Sequence, residues 1–368
     1  MRIRDVVLLP FAIPLRTALA TARGAVAART GFVVRLVAED GTEGIGEAVP
    51  HPHEPPSAIA ALADRLAAAV PLLRGADLAR ADELLDLAGT LGGGAAMGVD
   101  VALHDLVARV RGVPLAELLG GACVPVAASA LLEGDVAAAA RAAAAAGFRT
   151  AKLKATRDPD ATAAVVADVL RAAPGLALRI DANGAWDVAR VRRAVHALDP
   201  THVAWLEQPL PPADVDGLAD ARRHARACGH RVAADECVRG PDDVRRLAAH
   251  AAADVIVVKL VQVGGLRRAL ATARAAQAAG LAVVVTTGLE TSLGTVAALH
   301  LASALSGDGP EPLAAGVATT GLLAGDLVAE PIVAAPWMCP PGGPGLGVEL
   351  AREVRAALAP GAPCGGIA

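Results

Sequence analysis

Thr150-Ala151-Lys152-Leu153-Lys154-Ala155 holds two of the three lysines in this 368-residue chain; the third is Lys259. Lysines and arginines together number 34, so 34 − 3 leaves 31 arginines, and the chain takes arginine wherever a generic positive charge suffices. An arginine keeps its proton in a protein, whereas an ammonium that is desolvated or set beside other cations can fall to a pKa at which it acts as a base. The lysines are therefore the first candidates for proton transfer. A GC-rich codon bias accounts for their scarcity but not for their positions, since all three fall at the ends of strand-like apolar runs.

Outward from this stretch the same pattern recurs. Short apolar runs, each followed by alanine-rich helical spacing, cover Val124–Leu131, Thr150–Lys154, Leu176–Ile180, His202–Leu206, Arg231–Ala234, Val255–Leu260, Leu281–Thr286 and, less distinctly, Ala314–Thr319. About eight β-then-α units at this spacing predict an α/β fold in which parallel strands close into a (β/α)7β TIM-like barrel. Upstream, residues 1 to about 55 alternate as an antiparallel meander with a turn at Asp40-Gly41, ending at Gly44-Ile45-Gly46-Glu47. From Ser57 to Arg111 the spacing is helical. Its break at Leu91-Gly92-Gly93-Gly94 is a helix connection and not a phosphate loop, because no Lys-Ser/Thr follows and no strand precedes it. The expected organisation is an α+β capping domain over 1–122, completed by about 330–368, on a catalytic barrel over 123–329.

Composition narrows the class. With 54% hydrophobic residues and a mean hydropathy of +0.47 the chain can bury a large core, yet its apolar runs break before the roughly 18 residues that a membrane helix needs. Met1-Arg2-Ile3-Arg4-Asp5 meets charge too soon for a signal peptide, so a soluble, cytoplasmic protein is expected. Five widely spaced cysteines, with no C-x-x-C pair, indicate neither a disulfide framework nor a zinc site. A net charge of −4 and few aromatics give no support for nucleic-acid binding.

In a barrel of this kind the chemistry lies at the C-terminal ends of the strands. Those ends carry Lys152 and Lys154, Asp181 and Asn183, Glu207, Asp235 and Glu236, Lys259, and Glu290. Asp181, Glu207 and Asp235 follow one another at 26 (207 − 181) and 28 (235 − 207) residues, about one β/α unit each. Successive units thus set three carboxylates around one point. Three hard oxygen ligands with room left for water or substrate suit Mg²⁺, with Mn²⁺ as a substitute. A single Asp after a strand is usually a helix N-cap, but three in successive units, each embedded in apolar sequence, point to a metal.

Beside such a metal, a substrate carboxylate can accept the charge that develops when its α-proton leaves, as an enediolate. Lys154 has the cationic Lys152 two residues away on the same strand face, which favours a neutral base. Lys259, four units on, approaches from across the barrel. Lysines on opposite faces allow epimerisation, or elimination with one as base and the other stabilising charge.

Lys-x-Lys at 152 to 154, Asp181-Ala182-Asn183, Glu207-Gln208-Pro209, Asp235-Glu236 and Lys259 together resemble the enolase superfamily, muconate-lactonizing (cycloisomerase) subgroup. The N-terminal Gly-x-Gly-Glu-Ala resembles that family's capping domain, and Pro344-Gly345-Leu346-Gly347 its C-terminal segment. The resemblance implies that Asp181, Glu207 and Asp235 are Mg²⁺ ligands, that Lys154 and Lys259 are the acid/base pair, and that Lys152 tunes Lys154 and meets the substrate carboxylate. Within the subgroup, the stretches 181–186, 289–294 and 323–327 look most like the o-succinylbenzoate synthases of menaquinone biosynthesis, which implies syn-dehydration of a small-molecule carboxylate. The Asp-x-Asp by which dipeptide epimerases hold an ammonium has no counterpart in Ala315–Gly321, which weakens the epimerase reading but does not exclude derivatives without a free amine; racemisation or epimerisation of N-acylamino acids or dipeptides, or muconate-type cycloisomerisation, are the alternatives.

Substrate-contact candidates are Asn183, Glu236, Thr287, Gly288, Glu290, Gly316, Thr319 and Thr320. Residues 16–30 and 50–56 are expected to close over the substrate, with His51 and His53 as surface turn residues and not a metal pair. The resemblance is compatible with a homo-oligomer. A non-catalytic metabolite-binding barrel is the opposed class, and it has no use for a titratable base.

Overall fold

The computed structural model describes residues 1–21, 24–52, 54–306 and 313–358. His53 and Cys364 lie outside them. Three antiparallel strands open the chain: β1 (Ile3–Thr21), β2 (Gly24–Ala38) and β3 (Glu43–Ala48), in the order β1-β2-β3. Along β1, Leu9, Phe11, Ile13 and Leu15 are buried while Pro10, Pro14 and Arg16 face out, the period-two alternation of a half-buried strand. The pairing of β1 with β2 runs on through Leu19↔Val26 to Thr21↔Gly24. The described part of 16–30, expected as a closing loop, therefore forms the two arms of a long hairpin.

Three helices follow: α1 (Ala58–Leu73), α2 (Ala81–Thr90) and α3 (Gly93–Arg111). The glycines around Leu91 separate α2 from α3 as expected. A Cβ at Gly46 would stand 2.2 Å from the Gly98 carbonyl, and one at Gly94 would stand 1.7 Å from that of Val49. The Gly44-Ile45-Gly46 repeat exists so that β3 can lie directly on α3. Asp105 of α3 secures the contact, accepting from the Ile45 and Leu346 amides and from Arg109.

The second layer is a curled, seven-stranded parallel sheet of β5 (Ala130–Leu132), β6 (Thr150–Lys154), β7 (Ala177–Asp181), β8 (Val203–Glu207), β9 (Val232–Ala234), β10 (Val255–Lys259) and β11 (Ala282–Thr286), each beside its sequence neighbour. Short strands with near-continuous apolar runs are what a sheet covered on both sides requires. Two departures from expectation occur at the seam. The run Val124–Leu131 divides, since β4 (Val126–Ala127) pairs antiparallel with β12 (Trp337–Met338), and only Ala130–Leu132 joins the barrel. The eighth strand is reduced to single bridges, Ala128↔Ala315 and Thr286↔Gly316, that close the ring.

Helix starts are marked by Asp135, Asp158, Asp187 and Asp214, whose side chains accept from amides of the first turn. These residues do the capping, which leaves Asp181 and Glu207 at the ends of β7 and β8 for another task. No helix among the described residues is long and apolar enough to cross a membrane.

Candidate active site

Alternation along β6 buries Ala151 and Leu153 while Lys152 and Lys154 turn to the other face. At the neighbouring strand ends Asp181, Glu207 and Asp235 come together with one ligand oxygen from each within 4.8 Å of the others, all buried. Lys152 Nζ lies 2.6 Å from Asp181 Oδ2 and 2.5 Å from Glu207 Oε1. Lys259 Nζ donates to Asp235 Oδ2. Two ammonium groups thus lean on the carboxylates from opposite sides of the barrel.

The charges explain one another. Burial works against the ammonium of Lys152, but Asp181, Glu207 and Asp235 outweigh it and hold the group well above its usual range. Burial alone would push Glu207 up; Lys152 and Lys259 reverse this and bring it to about 2. Asp235 is pushed up to about 8, by burial first and then by Glu236 and Glu207. Lys259 is raised above its usual value because Asp235 overcomes the cost of burying it.

The donor set fits a divalent cation. Asp235 Oδ1 is buried and accepts no hydrogen bond among the described residues, although such an oxygen is costly to leave unsatisfied. Three ionised carboxylates against a divalent cation would leave one negative charge (−3 + 2), the same balance that the two ammonium groups strike in its place. Hard oxygen donors of this kind suit Mg²⁺.

Local backbone explains the motifs. Asn183 (φ 44°) and Gln208 (φ 35°) take left-handed conformations just after β7 and β8, turning the chain sharply at the strand ends. Gln208 Oε1 accepts from the Asp235 and Cys237 amides, so the Glu-Gln-Pro motif of one strand fixes the ligand of the next. Asn183 bridges Asp181 and Glu236, donating to each at 3.0 and 2.9 Å. Trp186 ties the loop after β7 to Thr156 after β6 through its indole nitrogen.

A cavity of about 130 Å³ opens above these groups. Of the expected substrate contacts, Asn183, Thr287, Gly288, Gly316 and Thr319 line it, whereas Glu236, Glu290 and Thr320 do not. His51 and Pro52 reach it from the capping layer. Glu290 is instead buried at the junction of the layers, accepting from the Gly288 amide, with Arg29 and Glu47 as its charged neighbours. A larger cavity, about 670 Å³, lies at the N-terminal ends of the strands beside Arg231, Asp254 and Ala282; its one buried charge, Asp254, is already paired with Arg222 and Arg226.

Sequence reasoning missed Glu133, Arg179 and Trp205. Glu133 lines the cavity directly after β5, with Oε1 3.8 Å from Lys154 Nζ; ending the first barrel strand at Leu132 exposes it to the strand-end rule. Arg179 and Trp205 stand two residues before Asp181 and Glu207, so period-two alternation puts them on the same faces.

The family model for the mandelate racemase / muconate lactonizing enzyme N-terminal domain matches residues 3–120, and that for the enolase C-terminal domain-like fold matches residues 135–354. The chain belongs to the enolase superfamily, muconate-lactonizing subgroup. Within it, the chain is 36% identical over 263 residues to muconate cycloisomerase 1 of Rhodococcus opacus, covering 68% of each protein. To the o-succinylbenzoate synthase of Thermobifida fusca (strain YX) it is 40% identical over 200 residues, 53% of this chain and 59% of that protein, so the match spans little more than half of that relative. Among solved superfamily members, dipeptide epimerase from Enterococcus faecalis V583 complexed with Mg and L-Leu-L-Tyr superposes with a TM-score of 0.86 at 25% identity, covering 95% of this chain and 99% of that one. Muconate lactonizing enzyme from Pseudomonas fluorescens complexed with muconolactone gives 0.85 at 28%, covering 97% and 99%.

Proposed function

We propose that this superfamily member uses Mg²⁺ to abstract a proton alpha to a carboxylate, and that its reaction is syn-dehydration of a cyclohexadiene carboxylate to o-succinylbenzoate, a step of menaquinone biosynthesis. The observation that carries this is that lysines from β6 and β10 line one cavity with Asp181 and Glu207, whose carboxylates cluster with that of buried Asp235. Asp181, Glu207 and Asp235 would hold the ion, which when bound supplies a fixed charge opposite the developing enediolate. Lys154 removes the α-proton; the electron pair of the C–H bond becomes the new double bond as the C–O bond breaks. The Lys154 ammonium then returns its proton to the departing hydroxyl, and water is released. Lys152 offers its charge to the substrate carboxylate. Lys259, an ammonium on β10, adds positive charge from across the barrel.

Two facts support dehydration over its rivals. The cavity wall at Gly316 and Thr319 carries no carboxylate, so a substrate ammonium would be buried there without a counter-charge. The o-succinylbenzoate synthase of Thermobifida fusca is a relative. A second reading, 1,1-proton transfer on an amino-acid derivative with Lys154 and Lys259 alternating, is favoured by Glu133, a cavity carboxylate able to receive an ammonium. Incubation with Mg²⁺ in D₂O separates them, using the dehydration substrate in one arm and a panel of dipeptides and N-acylamino acids in the other. Dehydration is expected; its absence together with efficient α-deuteration of a panel member overturns the choice.

A further inference from the structure

Below the carboxylates the barrel interior holds an arginine and a tryptophan. Arg179 is buried inside the barrel with its guanidinium 4.1 Å from the centroid of the Trp205 ring. Its Nη2 donates to the carbonyl of Ala314, in the segment that closes the ring. Trp205 is also buried, and its Nε1 donates to Glu207 Oε2 at 3.0 Å. A buried indole N–H needs an acceptor, and here the acceptor is one of the three clustered carboxylates. Glu207 is divided as a result: Oε2 is committed to the tryptophan, while Oε1 meets Lys152 at 2.5 Å.

We infer that Arg179 and Trp205 are positioning residues for the metal site, the indole fixing Glu207 so that Oε1 is presented to a divalent cation and the guanidinium holding the indole in place. Arg179 does two things at once. Its stacked face keeps Trp205 from rotating, and its far end pins the closing segment that carries Gly316 and Thr319 to the cavity wall. Groups that orient metal ligands in this way are typically worth about 10- to 100-fold in metal affinity. Phenylalanine at 205 would keep the stacking and most of the volume but would lose the donor. Lysine at 179 would keep the charge but lose the planar stacking surface.

The inference rests on the metal-site reading above, and one experiment tells their failures apart. Mn²⁺ binding is measured by calorimetry in the full chain and in Asp235→Asn, Trp205→Phe and Arg179→Met, with Tm in EDTA recorded for each. One site is expected in the unaltered protein and none in Asp235→Asn. Trp205→Phe should bind about 10- to 100-fold more weakly while retaining a cooperative unfolding transition in EDTA, and Arg179→Met should also bind more weakly. No site in the unaltered protein sinks the metal reading itself; equal affinity in Trp205→Phe sinks the positioning role alone. Should Trp205→Phe fail to fold, NMR decides on the chain with Trp186→Phe and Trp337→Phe, which leaves one tryptophan. The remaining indole N–H resonance is expected to shift with Mg²⁺ at the midpoint of binding, and a stationary resonance overturns the inference.

Discussion

Glu47 and Thr291 stand 244 residues apart and meet through the Thr291 amide, 3.1 Å from each carboxylate oxygen, and the Thr291 hydroxyl, 2.6 Å from Oε2. The Gly294 amide donates to the same oxygen. A carboxylate from the last strand of the capping layer thus caps the barrel helix Ser292–Ala304, where the helix dipole favours negative charge. Burial, reinforced by nearby Glu290, pushes Glu47 up to about 7.

A carboxyl raised from about 4.5 to about 7 contributes stability that is fully present below the lower value and is lost as pH rises through the higher one. Glu47→Gln, which keeps an acceptor oxygen without titrating, should therefore have a flatter Tm between pH 5 and 8. The difference in stability loss between the two proteins should be on the order of 3 kcal/mol at most, from about 1.4 kcal/mol per pKa unit. Parallel Tm curves measured across that range would refute it.

Chelation should remove turnover, and Mg²⁺ should restore it. An ion held by the folded chain alone stabilises it, so saturating Mg²⁺ should raise the Tm of the native protein, the equivalent of about 2.7 kcal/mol at 100-fold excess over Kd. Asp235→Asn and Asp181→Asn should show no such rise in differential scanning fluorimetry.

Lys154→Ala should lower turnover by about 10²- to 10⁴-fold, the usual worth of a general base, with an unchanged circular dichroism spectrum. It should also abolish exchange of the substrate α-proton with D₂O. Lys259→Ala should slow turnover yet still permit exchange; loss of exchange in this variant instead would make Lys259 the base.

Two glycine substitutions should act in opposite directions. Gly98→Ala drives a Cβ to 2.5 Å from that of Ala48, between α3 and β3, and should destabilise by about 1–3 kcal/mol in urea unfolding. Gly89→Ala lies in α2 with nothing within 4 Å of the new carbon, and should stabilise by about 0.5–1 kcal/mol.

The barrel and its charged mouth were legible because both follow local rules: short apolar runs in β/α units, and charge at their ends. The capping hairpin was less so. Small residues between 16 and 30 resemble a loop, but pairing across the hairpin, not side-chain size, makes them strand. Glu290 obeys the strand-end rule and yet faces Arg29 and Glu47, because the loop after β11 turns at Leu289, whose φ of 68° is a conformation that sequence does not announce. The division of Val124–Leu131 was hidden for a similar reason, since its first half pairs with Trp337–Met338, more than 200 residues away.

All three lysines converge on the mouth of the barrel, Lys154 the most open of them and Lys259 the least. The rest of the described surface carries its positive charge on guanidinium groups, which ordinary amine reagents leave alone. An activated ester or reductive methylation therefore addresses little besides the reactive end and the α-amino group. Any support coupled through amines would tend to hold the protein face-down on its own entrance.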